Sequence, residues 1–379
     1  MSKKFRLAMI IGTRPDIVRC SLILNKLRNN KFIDLQFIYT NQHYDNNLKD
    51  IFFEEMGVTR PDIILDCGGN THCSQHSRII SQLEDVFIKD RPDACLFLGD
   101  TNAVIGALVP WKMRIPICHI EGGMRSYDLD MPEEQNRIII DRISSVYYVY
   151  HNDHKCRLVQ EGICPTKIVV VGNTIVDVIQ HYGQKIKPLM ACGKYHLPYK
   201  KYALMTLHRD SNMRGDVAPI AIGRVRDWCR MHNMKCVLPV MPRLKQIMEG
   251  QFHRFDDVFI FTEPLPFFEF ISLEAGAAIE FTDSGTNQET STLLSVPCVV
   301  IRPCTERPET FKSGIVAMQD LDIESAADKV WGKYPVKGYS LGDGRASERI
   351  IDDLLARLDR DFDRDLEPWH NRFIRSNWA

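Results

Sequence analysis

Short apolar runs without strict alternation, each followed by an amphipathic stretch, recur along the chain. "FRLAMII" (5–11) leads into a helical pattern at 16–28, and "LQFIYT" (35–40) into "NNLKDIFFEEM". "ACLFLGD" (94–100) leads into "NAVIGALVPWK", and "IPICHIE" (115–121) into a helix opened by Pro132. "SVYYVY" (145–150) and "KIVVVG" (167–172) follow. A strand with one wet face would alternate apolar and polar residues. Strands that are apolar on both faces belong to parallel sheets covered by helices on either side. The rhythm therefore predicts a doubly wound α/β fold. It pauses in the polar segment 180–200 and restarts with "YALMTLH" (202–208), "KCVLPV" (235–240), "VFIFT" (258–262), "AAIEFTD" (277–283) and "PCVVIR" (297–302). Two Rossmann-like domains are expected: 1–185, joined by a C-terminal helix at 358–379, and 186–357. Two such domains facing each other place a cleft at their strand C-termini, where ligands of open α/β sheets bind.

Bulk properties narrow the classes. A length of 379 residues suits two domains, and a net charge of −1 gives neither a nucleic-acid footprint nor a basic membrane face. No apolar run approaches the ~18 residues of a spanning helix. The start, "MSKKFRLAMIIGTRPD", is basic then apolar like a signal peptide, but it runs straight into a charged turn and reads as a first strand. None of the 12 cysteines forms a C-x-x-C pair, and Cys95, Cys118 and Cys298 sit inside apolar runs. That is the pattern of buried thiols in a reducing compartment. No metal site and a cytoplasmic location are expected.

The chemistry-bearing motifs fall where strands end and helices begin. In "GTRPD" (12–16), Gly12 allows a tight turn, Thr13 can cap, and the free N–H groups with Arg14 suit an anion. "LGDTNAV" ends a strand on Asp100. "HIEGGMRSYDLDMPEEQNR" (119–137) ends a strand on Glu121, turns on two glycines, and opens a helix with Glu133 and Glu134. Glu134 is accounted for by the helix dipole alone. "TLHRDSN" brings His208 beside Arg209, and "FTDSGTNQET" offers Ser284, Gly285 and Thr286 as a second anion cradle. Glu306, Arg307 and Glu309 in "CTERPET" are either solvated or reach into the cleft. The dinucleotide fingerprint G-x-G-x-x-G is absent, so no nicotinamide cofactor is expected.

Together "GTRPD", "NQHYD", "LGDTN", "HIEGGMRSYDLDMPEEQNR", "VVGNTIVD", "TLHRDSN", "TDSGTNQET" and "TERPE" resemble, in order and spacing, the non-hydrolysing UDP-N-acetylglucosamine 2-epimerases, which share the GT-B fold. The resemblance covers nearly the whole chain. It implies a UDP-sugar 2-epimerase with a UDP-binding second domain, no cofactor, and a homodimer. Asp100, Glu121 and Glu133 match the family's catalytic acids, and His208 the histidine near the diphosphate. Arg14, Phe270, Ser284 and Gly285 match the nucleotide site. The implied route is elimination of UDP from C1 as a proton leaves C2, giving 2-acetamidoglucal, then re-addition with the proton delivered to the other face.

Departures from the family pattern are local. Asp16 and Arg19 stand in the first helix turn where Glu and Lys are frequent, Thr286 replaces a second glycine, and Thr290, preceded by Glu289, replaces the acid that holds the ribose. Arg307 is counted with the nucleotide residues. The patch that binds an activating second UDP-N-acetylglucosamine is only partly kept: Gln42 and His43 are present, but Asp45 and Met241 differ, so this activation is expected to be absent or altered. The same departures leave room for another UDP-hexosamine such as a 2,3-diacetamido-uronic acid. A GT-B glycosyltransferase and a non-catalytic nucleotide-sugar regulator are the remaining alternatives. Three acids around C2 argue against both.

Overall fold

The structure is a computed structural model that describes residues 4–42, 46–69, 71–302, 304–313, 316–317, 321–332, 340–360 and 362. It contains two parallel sheets. In the first, β1 (Phe5–Ile11), β2 (Ile33–Tyr39), β3 (Ile63–Ile64), β4 (Ala94–Leu98), β5 (Ile117–Ile120), β6 (Val146–Val149) and β7 (Ile168–Val170) lie in the order β3-β2-β1-β4-β5-β6-β7. In the second, β8 (Tyr202–Thr206), β9 (Lys235–Pro239), β10 (Phe259–Thr262), β11 (Ile279–Thr282), β12 (Cys298–Val300) and β13 (Val316–Ala317) lie in the order β10-β9-β8-β11-β12-β13. The two-residue edge strands β3 and β13 carry no periodic signal and escape the sequence reading. The apolar runs behave as expected of strands covered on both faces: Leu7, Ala8, Met9, Ile10 and Ile11 are all fully buried.

Strand order locates two candidate crevices. The order reverses between β1 and β4 in one sheet and between β8 and β11 in the other. At such a switch point the connections leave in opposite directions and open a crevice at the strand C-termini. Gly12 and Asp100 follow one of these strand pairs, and His208 and Ser284 follow the other.

The contacts divide the chain into one unit of residues up to Gln180 and from Leu341 onward, and a second of His181–Ser340. The expected boundaries were 185/186 and 357/358. The return to the first unit thus comes at 341, because the helix Ala346–Arg360 is fastened there. Asp177 accepts from the amides of Ala346 (3.1 Å) and Ser347 (2.7 Å), the first turn of that helix, and the Tyr148 hydroxyl reaches Asp353 Oδ2 at 3.0 Å. Of the expected helix at 358–379, residues up to 360 belong to this element, and most of the remainder lies outside the described residues. All 12 cysteines are free thiols.

Candidate active site

At the first switch point, Asp100 and Glu121 come together although they leave different strands. Gly99 between β4 and Asp100 has φ +73°, and a Cβ there would meet Glu121 Oε2 at 3.1 Å, so the Glu121 carboxylate lies against this turn. Glu121 itself holds φ +76°, a strained value for a residue with a Cβ. Its amide is bonded to the Tyr148 carbonyl at 2.9 Å. The following turn is locked by Asp141, which accepts from His119 Nδ1 (2.8 Å), Arg125 Nη1 (2.7 Å) and the Gly123 amide (3.0 Å). Burial alone would push the Asp141 carboxyl up, but His119 and Arg125 outweigh it and hold it below the usual range.

Each acid has a buried arginine. Arg19 Nη1 reaches Glu121 Oε1 at 2.8 Å with both side chains nearly sealed from solvent. Arg137 directs Nε (2.9 Å) and Nη2 (2.7 Å) onto Asp100 Oδ2 and also pairs with Glu134. Glu134, read from sequence as a helix-dipole acid, is fully buried instead. It accepts from the amides of Ser126 (2.9 Å) and Tyr127 (3.0 Å), which fixes the loop leading into the helix Pro132–Ile143. Glu133 on the same first turn is only half-buried.

The helix start after β1 is not the open anion cradle that "GTRPD" suggests. Asp16 Oδ2 already accepts from the amides of Gly12 (3.0 Å) and Thr13 (2.9 Å). Burial pushes this carboxyl up to about 7 against the pull of those N–H groups. What remains for an anion is Arg14, half-buried and without a hydrogen bond or ion pair to any described residue. Arg19 is drawn to Glu121 rather than to a nucleotide position. Gln42 is buried, with Nε2 on Thr40 Oγ1 at 3.0 Å and its amide packed where a Gly12 Cβ would stand. His43 lies outside the described residues.

A polar cluster absent from the sequence reading adjoins Asp100. Asn102 Oδ1 faces His72 Nδ1 (3.2 Å) and His76 Nε2 (3.0 Å), and Asn102 Nδ2 donates to Gln75 Oε1 at 2.7 Å. Asn136 Nδ2 donates both to Asn102 Oδ1 (3.2 Å) and to the Asp100 carbonyl (2.9 Å). The helix His72–Lys89 presents residues 72, 75 and 76 on one face, a 3- and 4-residue spacing. That spacing is the signal by which "THCSQH" could have been picked out. Asp141 carries no local signal either, and His119 and Arg137 stand at the two ends of the 119–137 stretch with nothing in the sequence to give them a partner.

At the second switch point, Asp283 is the anchor. It is fully buried and accepts from the amides of His208 (2.9 Å) and Arg209 (2.8 Å) and from Asn212 Nδ2 (3.0 Å). Burial raises its carboxyl, yet the His208 side chain and these N–H groups together pull it down to about 2. His208 Nδ1 lies 3.1 Å from Asp283 Oδ1, and its side chain remains 42% exposed. Ser284 caps the helix Gly285–Leu293 by accepting from the Asn287 amide at 3.3 Å. Thr286 is half-buried on the first turn, and Phe270 packs partly buried against the Leu273 core. Thr290 and Glu289 face inward, away from the ribose role considered for them. Thr290 is fully buried and donates to Glu274 Oε1 at 2.6 Å, while Glu289, also fully buried, takes Arg307 Nε at 2.8 Å. Arg307 is therefore enclosed by carboxylates, pairing with Glu306 as well.

Comparison with known proteins agrees over nearly the whole length. The family model described as UDP-N-acetylglucosamine 2-epimerase matches residues 25–355. The UDP-N-acetylglucosamine 2-epimerase of Methanocaldococcus jannaschii is 36% identical over 360 residues, covering 91% of this chain and 98% of that protein. The UDP-2,3-diacetamido-2,3-dideoxy-D-glucuronate 2-epimerase of Pseudomonas aeruginosa is 31% identical, with 93% and 100% covered. Among solved structures, that of the M. jannaschii enzyme in complex with UDP-GlcNAc and UDP superposes with a TM-score of 0.85 at 34% identity, covering 93% of this chain and 99% of the other.

Proposed function

Since the chain belongs to the UDP-N-acetylglucosamine 2-epimerase family, a group of isomerases on the GT-B fold, we propose that it interconverts UDP-N-acetylglucosamine and UDP-N-acetylmannosamine by elimination and re-addition of UDP. The observation that carries this reading is that the Glu121 carboxylate lies against the turn that leads into Asp100, with a buried arginine on each acid. The C2 hydrogen has no adjacent carbonyl and is not acidic, so its removal must be coupled to loss of the C1 diphosphate. One carboxylate takes the C2 proton as the C1–O bond breaks and the electron pair leaves with UDP. The glucal so formed is then protonated at C2 from the other face as a UDP oxygen re-forms the bond to C1. Asp100, Glu121 and Glu133 supply the base and acid, each contributing about 10²–10⁴-fold. Arg14, His208 and the Ser284–Gly285 turn stabilise the leaving diphosphate.

Incubation with UDP-N-acetylglucosamine in D₂O tests the reading: NMR should show deuterium at C2 and appearance of the manno epimer. No exchange with any UDP-hexosamine would refute it. The Pseudomonas relative supports a second substrate, a UDP-2,3-diacetamido-glucuronate, and exchange with that sugar alone would favour it.

The buried Gln42 also bears on regulation. One N–H of its amide is taken by Thr40, and the patch around it departs from the family pattern at Asp45 and Met241. Trace UDP-N-acetylglucosamine is therefore expected not to accelerate epimerisation of UDP-N-acetylmannosamine, and a strong rate increase on its addition would contradict this.

A further inference from the structure

We propose that Glu306 is a positioning residue of the nucleotide site, a buried carboxylate that gathers Arg209, Arg302 and Arg307 against the Ser284–Gly285 turn and so sets the charge that meets the diphosphate. The inference rests on the nucleotide reading of that turn.

Glu306 is fully buried. Its Oε2 accepts from Arg302 Nη2 at 2.8 Å, and its Oε1 pairs with Arg307 and lies 3.6 Å from Arg209 Nη2. A buried carboxylate needs compensation, but one guanidinium would supply it. Arg307 has Glu289 as a second carboxylate, but Glu306 is the acid that Arg209, Arg302 and Arg307 share, so it joins the three guanidiniums at one point.

Gly285 shows that cluster and turn are in direct contact. A Cβ at this position would run into the Arg307 guanidinium and stand 2.8 Å from Glu306 Oε1. The glycine of the turn is thus required by the cluster behind it as well as by any ligand in front. The third arm differs from the other two. The Arg209 side chain is 19% exposed, against 3% for Arg302 and 6% for Arg307. Arg209 also follows His208, and both of their amides are fixed on Asp283. Glu306 therefore links the end of β8 and the turn after β11 to its own loop, and holds the solvent-reaching arginine ready for an anion. A diphosphate, with its charge spread over several oxygens, is the chemistry that fits.

Glu306→Gln preserves shape and one acceptor oxygen, but it removes the charge and turns the other oxygen into an N–H₂ donor facing a guanidinium. Calorimetric titration with UDP and the kinetics of C2 exchange should show Kd and KM raised about tenfold or more, with kcat changed less than about threefold. Glu306→Asp should recover part of the affinity. A Glu306→Gln protein that binds UDP like the wild type, with only its melting temperature lowered, would reduce Glu306 to a fold element and overturn the proposal. Should that variant not fold, Arg209→Gln decides: Kd raised to a similar extent supports the proposal, and an unchanged Kd overturns it. UDP binding by a wild type that shows no C2 exchange would sink the epimerase reading while leaving this comparison intact.

Discussion

Replacing Asp100 with asparagine is expected to slow C2 hydrogen exchange by about 10²–10⁴-fold while leaving the melting temperature nearly unchanged. The side chain is partly exposed, and Arg137 keeps Glu134 as a partner when the Asp100 charge is removed. Glu121→Gln should behave differently. It also abolishes exchange, but it takes the carboxylate from a guanidinium that is only 3% exposed. Leaving such a charge without its partner costs about 3–5 kcal/mol. The double variant Arg19→Met, Glu121→Gln should regain much of that stability and none of the exchange. Thermal unfolding beside the D₂O assay checks both statements. Wild-type exchange rates in Asp100→Asn would remove it from the mechanism.

The second large effect concerns stability. Glu274 and Glu280 are both fully buried, and the second oxygen of each has no hydrogen-bond partner. Thr290 and Asn287 serve the first oxygens at 2.6 and 2.7 Å. Burial pushes the Glu280 carboxyl up to about 7, and burial together with the Glu280 charge pushes Glu274 well above its ordinary range. The folded state thus binds protons that the unfolded chain releases near pH 4.5. Stability from this pair is fully present below that pH and is lost as pH rises through the raised folded-state values of the two carboxyls. Glu274→Gln removes one charge, keeps an oxygen for Thr290 and can donate to Glu280. Its melting temperature should exceed that of the wild type at pH 8 and approach it near pH 4.5. A difference independent of pH would show that the pair is not the titrating element.

Much of the fold was legible in the chain because apolar runs repeat and because parallel sheets bury both faces of a strand. Edge strands of two residues, β3 and β13, were not, since two residues show no period. The candidate site was legible in its location rather than in its wiring. "GTRPD" reads as an anion cradle until Asp16 is seen to fill it, and Glu134 reads as a dipole acid until it is seen to hold the Ser126 and Tyr127 amides. Nothing local marks such an acid, because the N–H groups it will accept depend on how the turn closes.

The doubly wound architecture, the family, and the strand ends that carry Asp100 and Glu121 in one sheet and His208 and Ser284 in the other are written in the sequence. These follow from periodicity and from motifs that are contiguous in the chain. Tertiary structure alone decided which charges meet. Arg19 and Glu121 are 102 positions apart, and Arg137 and Asp100 are 37 apart. Ion pairs in a buried site form between groups that strand order brings within about 3 Å, and a charge cannot remain there without such a partner. Sequence spacing records the groups, and sheet topology chooses their partners.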